Sequence, residues 1–213
     1  MKSASPSDLT GRARIRDAAI ELFAEEGFAR PSLKAIAEAA GVSPALVIHH
    51  YGSKEGLRRS CDDHVTAQLL DEKFASTTSP SASLIEELLA GAGAGGPMLT
   101  YVARLLVEPG GAGDELFAKL LASTEEHLAA GREAGTIHPS SDPGAAAVIV
   151  TAFGLAPLLL RARYARALGA DPFSPEGAAR LTVPTLEILT EGLYAEASYL
   201  RAARSAQEKG AQR

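Results

Sequence analysis

The chain has 213 residues, a formal net charge of −5, one cysteine and no tryptophan. This length is enough to bury a hydrophobic core in one or two domains, and the acidic balance excludes a protein that binds polyanions over its whole surface. Residues 1–60 hold nine Lys and Arg against seven Asp and Glu, whereas the remainder holds twelve against nineteen. This distribution indicates a head that meets phosphates and a body that does not.

Four helices are predicted in the head and just beyond it. The first spans about 10–26, where apolar residues recur at helical spacing. The second begins near residue 32, the third spans about 44–50, and Ser53 is placed to cap a fourth that reaches about residue 74.

The body is also predicted to be helical, because no segment shows the alternation of a strand. Pro157 and Pro184 are expected to kink the last two helices. The charge-free run 143–160 is at the short limit for a membrane span and is interpreted as a buried helix. The predicted helices of the body span 84–90, 97–107, 114–132, 142–168 and 174–203.

The fold class that follows is all-α. We expect a three-helix helix-turn-helix domain over residues 1–56 and a larger helical domain for ligand binding and dimerisation over 57–213. Cys61 is alone, so no intrachain disulfide is possible, and the first ten residues lack the apolar centre of a signal peptide. A cytoplasmic protein is the simplest interpretation.

The segment from Ser32 to Leu57 carries the most informative pattern, two short helices joined by a tight turn. Gly41 supplies the backbone freedom that a sharp turn needs, often with φ above zero. Ser43 can cap the next helix, and Pro44 fits its first position, where no N–H is missed. This is the pattern of a helix-turn-helix, whose second helix enters the major groove of double-stranded DNA.

The third helix is predicted to have one buried and one free face. Val47 and Tyr51 lie four residues apart and can point into the three-helix core. The opposite face is free to read base edges, by apolar contact with thymine methyls or by a histidine hydrogen bond. That face consists of Pro44, Ala45, Ile48 and His49.

Four further side chains are placed for DNA phosphates, which helix N-termini also attract. They are Ser32, Lys34, His50 and Lys54. Each also has an ordinary structural interpretation, since serines cap helices without DNA and lysines or histidines are common on surfaces. The agreement between turn, caps and free face favours DNA.

Three stretches resemble the N-terminal domain of the TetR family of transcriptional regulators: AAIELFAEEGF (18–28), SLKAIAEAAGVS (32–43) and HHYGSKEGL (49–57). The resemblance implies a sequence-specific regulator, more often a repressor, that binds DNA as a homodimer and senses a small molecule in its body. The family often has tyrosine where this chain has Ile48, so the contact there must be apolar or absent. By position, the family's DNA contacts fall on Ser32, Lys34, Ser43, Pro44, Ala45, Leu46, Ile48, His49, His50 and Lys54.

The two long C-terminal helices are candidates for the dimer interface, because each carries a face that lets another helix approach. Two such helices from each subunit would form a four-helix bundle with twofold symmetry. The alternative is that these faces bury against their own subunit. The interface candidates are Ala145, Val148, Ala152, Leu155, Leu181, Thr185, Ile188 and Leu189.

The pocket for a small-molecule effector is expected among apolar residues with a few polar groups. Most of these residues could equally be ordinary core. The candidates are Leu88, Met98, Tyr101, Val102, Arg104, Leu105, Phe117, Leu121, Thr124 and Phe153.

Other functional classes have little support. The segment 91–96 spells G-x-G-x-x-G, but no strand precedes it. Cys61 and His64 lack two further metal ligands, and His138 with Asp142 lies beside a helix cap rather than in a catalytic constellation. We therefore expect no enzyme, no cofactor, no metal and no membrane partner. The competing interpretation is a helical dimer that binds a small molecule without reading DNA sequence.

Overall fold

The computed structural model describes residues 6–70, 96–109 and 111–211. Within these ranges it contains helices and no strand, so the prediction of an all-α fold is confirmed. The predicted helix 84–90 and the glycine-rich segment 91–95 lie outside the described residues. The helices are α1 (Pro6–Glu26), α2 (Leu33–Ala39), α3 (Pro44–Tyr51), α4 (Lys54–Leu70), α5 (Pro97–Val107), α6 (Ala112–Glu133), α7 (Pro143–Leu159), α8 (Arg161–Leu168), α9 (Pro175–Thr190) and α10 (Ser198–Ala211).

The core of the head is formed by α1 to α4. Burial of each large apolar side chain contributes about 1.5–3 kcal/mol, which makes this cluster the main source of the head's stability. The core continues from α4 into α5, where Tyr101, Val102 and Leu105 are also buried. The fully buried large side chains of the head are Ile15, Phe23, Ile36, Val47, Leu57 and Val65.

The body is built around α5, which packs against α1 on one side and against α6 and α7 on the other. α6 and α7 also pack on each other, and α8 connects α7 to α9. Because α5 contacts both the head and the body, it is the element through which the two parts are joined.

The predicted helix 142–168 is divided in the structure. Asp142 caps it as expected, its carboxylate accepting a hydrogen bond from the Ala145 N–H at 3.0 Å. Pro157 lies inside α7, which ends two residues later, and α8 begins after Leu160 at an angle of 74°. Proline removes one backbone donor and crowds the preceding turn, so the helix breaks within a turn of it.

The predicted helix 174–203 is also wrong in its extent. α9 ends at Thr190, and a separate α10 begins at Ser198. Gly192 has φ of +84°, a left-handed conformation that cannot continue an α-helix. The glycine was visible in the sequence, but the apolar spacing on both sides of it obscured the break.

No single described helix is both long enough and apolar enough to cross a membrane. α7 and α8 meet the length and composition requirement only as a pair, across their 74° bend.

Candidate nucleic-acid interface

The turn between α2 and α3 has the geometry expected from its sequence. Gly41 has φ of +64°, and the Val42 N–H donates to the Ala37 carbonyl at 2.9 Å. The Ser43 hydroxyl accepts a hydrogen bond from the Leu46 N–H at 3.2 Å, which caps α3. These local bonds fix the angle at which α3 leaves the turn.

The turn is also held from α1 by a residue that the sequence analysis missed. The guanidinium of Arg14 donates to the carbonyls of Ala40 and Gly41, the second at 3.1 Å. A Cβ on Gly41 would lie 2.8 Å from that guanidinium. Arg14 therefore satisfies carbonyls at the end of α2 that have no partner within the helix.

The two faces of α3 differ as predicted. Val47 is fully buried, and the Tyr51 hydroxyl donates to the Arg12 carbonyl at 2.7 Å, which anchors α3 to α1. Ile48 is 52% exposed despite its apolar side chain. The exposed residues share the face away from the core: Pro44, Ala45, Ile48 and His49.

Two other predicted contacts on α3 lie toward α1. Leu46 and His50 are half-buried, and their side chains lie 3.8 Å and 3.9 Å from the position that a Cβ on Gly11 would occupy. The His50 Nε2 is buried without a hydrogen-bond partner among the described residues. These side chains therefore border the exposed face rather than form its centre.

The predicted phosphate contacts are in different situations. Lys34 is exposed at the start of α2. The Ser32 hydroxyl accepts from the Ala35 N–H at 3.1 Å and so caps α2. The Lys54 ammonium donates to the Ala29 carbonyl at 2.7 Å, so its charge is tied to the loop after α1. Lys34 is the freest of these groups to meet a phosphate.

A buried hydrogen bond connects the head to the body. The Tyr101 hydroxyl of α5 donates to the Asp62 carboxylate of α4 at 2.6 Å. Arg58 lies 3.7 Å from the same carboxylate, donates to Glu108, and covers the ring of Phe28 at 3.9 Å. This cluster joins α4, α5 and the loop after α1 through charge-assisted contacts.

A second contact between α5 and the head is made by Arg104. Its Nε donates to the Ala24 carbonyl at 2.8 Å, and a terminal nitrogen donates to the Glu25 carbonyl at 3.0 Å. Carbonyls in the last turn of a helix lack intrahelical partners and carry the negative end of its dipole. Arg104 therefore stabilises the end of α1 from the body.

Burial raises the pKa of Asp62, while its hydrogen bond from Tyr101 and the charge of Arg58 act in the opposite direction. Burial also raises the pKa of the Cys61 thiol to about 12, so this cysteine remains protonated and unreactive.

We expect Asp62→Asn to change the pH dependence of stability. A carboxyl whose pKa is raised on folding contributes stability below its ordinary value of 3.8, which is lost as pH rises through the folded pKa. The free energy of unfolding of the wild type, relative to Asp62→Asn, should therefore fall between about pH 4 and pH 7 in urea titrations. Asp63→Asn, on the exposed side of α4, is the control. Parallel profiles for wild type and Asp62→Asn would contradict the assignment.

The predicted effector contacts are divided between two surroundings. Tyr101, Val102 and Leu105 are buried in the core that continues into the head, and Arg104 makes the bonds described above. The side chains on the other side of α5 are half-buried, except for Phe153, which is 45% exposed. Leu88 lies outside the described residues. The half-buried group consists of Met98, Phe117, Leu121 and Thr124.

Two cavities border α4. The first, of about 240 Å³, is lined by Arg12, Ala13, Arg16, Tyr51, Ser60 and His64. The second, of about 170 Å³, is lined by Asp62, Asp63, Thr66, Ala67, Ala112, Glu115 and Lys119. Neither is lined by a predicted effector contact. Over the described ranges, no three His, Cys, Asp or Glu side chains are grouped so that they could hold a metal ion.

The predicted dimer contacts lie mainly on open faces of α7 and α9. α7 was expected in the middle of a bundle, but one chain leaves much of its apolar surface uncovered, and Ile149 is 68% exposed. The exposed interface candidates are Ala145, Val148, Ala152, Ile188 and Leu189, and the half-buried ones are Leu155, Leu181 and Thr185.

Sequence comparison covers both parts of the chain. Residues 15–61 match the family described as bacterial regulatory proteins, tetR family, and residues 94–195 match the tetracyclin repressor-like C-terminal domain. The chain is also 39% identical over 209 residues to the HTH-type transcriptional regulatory protein RaaS of Mycobacterium tuberculosis, which covers 96% of each chain. The chain belongs to the TetR family. The resemblance seen in the head is thereby confirmed, and the family is one of transcriptional regulators, not of enzymes.

Solved TetR-type structures share the fold. FadR from Bacillus subtilis, in complex with stearoyl-CoA, has a TM-score of 0.65 at 17% identity and covers 85% of this chain and 99% of its own. NalD, the secondary repressor of the MexAB-OprM multidrug efflux pump in Pseudomonas aeruginosa, has a TM-score of 0.60 at 24% identity and covers 89% and 99%. The helix-turn-helix head and helical body of this chain thus have the TetR arrangement.

Proposed function

We propose that this TetR-family regulator binds a palindromic operator as a cytoplasmic homodimer, and that a small molecule bound in its body changes its affinity for DNA. The observation that carries the proposal is the exposed face of α3, where Ile48 and His49 face outward while Val47 and Tyr51 fix the opposite side. A helix anchored on one face and open on the other can enter the major groove as a rigid body.

The ten predicted DNA contacts divide into two roles. Pro44, Ala45, Ile48 and His49 read base edges, the first three by apolar contact. The residues around them contact phosphates or set the position of α3, since backbone contacts position a protein and base contacts specify its site. The second group consists of Ser32, Lys34, Ser43, Leu46, His50 and Lys54.

The exposed apolar faces of α7 and α9 support the homodimer. Large exposed apolar patches mark interaction sites in proteins of this size. Two heads on a symmetric dimer would read half-sites about 34–36 Å apart. The division into residues 1–56 for DNA binding and 57–213 for dimerisation and ligand binding is part of the same proposal.

The effector site is proposed between α5, α6 and α7, near Met98, Phe117, Leu121 and Thr124. These side chains are half-buried, and Thr124 accepts a hydrogen bond from the buried Thr151 at 2.9 Å, which places a polar group among apolar ones. The stearoyl-CoA complex of FadR and the repressor role of NalD support an effector-controlled repressor. An effector shifts DNA affinity only by its differential binding to two states, typically about 1–3 kcal/mol.

Selection of bound sequences from random DNA, at near-physiological salt, tests the proposal. Recovery of a palindrome would support a sequence-specific dimer and provide the probe for an effector screen. If a folded dimer enriches no motif, the head does not read sequence, and the alternative of a ligand-binding dimer is favoured instead.

We expect Lys34→Ala and His49→Ala to separate phosphate contact from base reading. Lys34→Ala should weaken binding to operator and random DNA alike and reduce the salt slope by about 1 per contact, because it removes a counterion-releasing charge. His49→Ala should change the preference between operator variants by about 1–3 kcal/mol. Fluorescence anisotropy between about 50 and 200 mM salt measures both effects.

Lys119→Ala, an exposed lysine on α6, is the matched control for loss of one positive charge. Lys54→Ala is less suitable because its ammonium is bonded to the Ala29 carbonyl. Equal effects of His49→Ala on specific and random DNA would remove His49 from the reading face.

A further inference from the structure

The C-terminal end of the chain forms a segment that its own subunit leaves uncovered. Every residue from Glu187 to Lys209 is exposed. The apolar side chains in this segment are large and close together, and four within eight positions are 52–71% exposed. They are Leu193, Tyr194, Tyr199 and Leu200. Contiguous exposed apolar residues of this kind mark an interaction surface.

α10 has the pattern of a helix that packs on a partner. Tyr199, Ala202, Ala203 and Ala206 recur at helical spacing and share one face. Small alanines allow another helix to approach closely, whereas insertion into a lipid surface requires larger apolar side chains. Arg201 and Arg204 lie away from this face, which gives α10 an apolar side and a basic side.

The connection between α9 and α10 directs α10 away from its own α9. Gly192, with φ of +84°, turns the chain immediately after α9. The rings of Tyr194 and Tyr199 lie 4.9 Å apart, so the loop and the start of α10 pack on each other. The segment is thus locally ordered but leaves both its own apolar residues and those of α9 open.

The charges of the two exposed surfaces are complementary. The end of α9 and the loop carry Glu187, Glu191 and Glu196 with no basic residue between positions 187 and 196. α10 has the opposite balance, with three basic residues against Glu208. Ile188 and Leu189, 44% and 62% exposed, supply apolar surface beside the α9 glutamates.

We propose that residues 191–211 form an arm that packs on the C-terminal end of α9 in a second copy of this chain. The basic side of α10 then faces the glutamates of the second copy, and its apolar face covers Ile188 and Leu189 there. In a twofold dimer the contact occurs twice, since each subunit offers both surfaces. The inference rests on the proposed homodimer and extends its interface beyond the bundle of α7 and α9.

A photo-cross-linking experiment tests which chain the arm touches. Benzoylphenylalanine replaces Tyr199 in full-length protein, and light and 15N-labelled chains are mixed and irradiated after subunit exchange. Cross-linked peptides of mixed isotope composition that contain residues from the end of α9 support the proposal. Products formed only within one chain, or no product, overturn it.

Dimer affinity gives a second and independent measurement. Tyr199→Asp with Leu200→Asp should raise the dimer dissociation constant by at least about 100-fold, since two large apolar contacts are lost in each arm. Gln207→Ala, an exposed polar change on the same helix, should leave it unchanged. Sedimentation equilibrium measures the constant, and circular dichroism verifies that helicity is retained.

The outcomes separate the arm from the dimer itself. An unchanged dissociation constant in the double variant, with a dimeric wild type, overturns the arm and leaves the homodimer standing. A full-length chain that is monomeric at all concentrations overturns both. Binding of the wild type to anionic vesicles that the double variant loses, without intermolecular cross-links, assigns the segment to a membrane surface and overturns the arm.

Discussion

Replacing Tyr101 with alanine is expected to lower the free energy of unfolding by about 3–5 kcal/mol, the cost of removing a large buried aromatic side chain. The ring is fully buried and meets Phe23 and Phe28 edge-on, at centroid distances of 6.4 Å and 5.0 Å. Its hydroxyl donates to Asp62 at 2.6 Å. The substitution therefore leaves a cavity and an unpaired buried carboxylate at the junction of head and body. Urea unfolding followed by circular dichroism measures the loss.

Tyr101→Phe is the matched comparison, because it keeps the ring and removes only the hydroxyl. Its expected cost is about 1–3 kcal/mol, from an acceptor left without its donor. If the two variants lost the same stability, packing of the ring would contribute nothing and the assignment of Tyr101 to the core would fail.

Replacing Gly56 with alanine is expected to abolish tight operator binding and to lower the free energy of unfolding by about 1–3 kcal/mol. A Cβ at this position of α4 would lie 2.1 Å from the Tyr51 carbonyl oxygen at the end of α3. Backbone cannot rotate away as a side chain can, so α3 must shift, and the reading face shifts with it. The general gain of about 1 kcal/mol from alanine in a helix offsets only part of the cost.

Gly144→Ala is the control for Gly56→Ala. Gly144 is also helical, and its Cβ would meet only the Asp142 carboxylate at an ordinary 3.7 Å. It should bind operator as the wild type does and be equally or more stable. Operator affinity measured beside thermal unfolding distinguishes a displaced α3 from an unfolded chain. Wild-type affinity in Gly56→Ala would contradict the predicted shift of α3.

The helix-turn-helix could be predicted from sequence because its determinants are local. Ser32 and Ser43 cap helices three residues ahead of them, and Gly41 turns the backbone at its own position. The free face of α3 followed from spacing alone. Such signals lie within one or two turns of the chain, where helical periodicity can be read directly.

The contacts that join head and body could not be predicted in the same way. Arg14 bonds to carbonyls 26 and 27 residues away, and Arg104 to carbonyls 79 and 80 residues away. Apolar spacing showed that Tyr101 faces inward, but not which surface covers it. Its partner, Asp62, lies 39 residues earlier and is charged, so no local pattern indicated a buried pair.

The two arginine contacts at opposite ends of α1 make that helix a lever. Arg104 grips the last turn at Glu25, and Arg14 grips the turn that precedes α3. Eleven residues separate Arg14 from Glu25, which is about 16 Å along a helix at 1.5 Å per residue. A tilt of about 6° at the body end would therefore displace the other end by about 1.7 Å, comparable with a change from contact to separation at a base edge. A small angular change in α5 would thus reach the DNA as a translation, with no rearrangement inside the head.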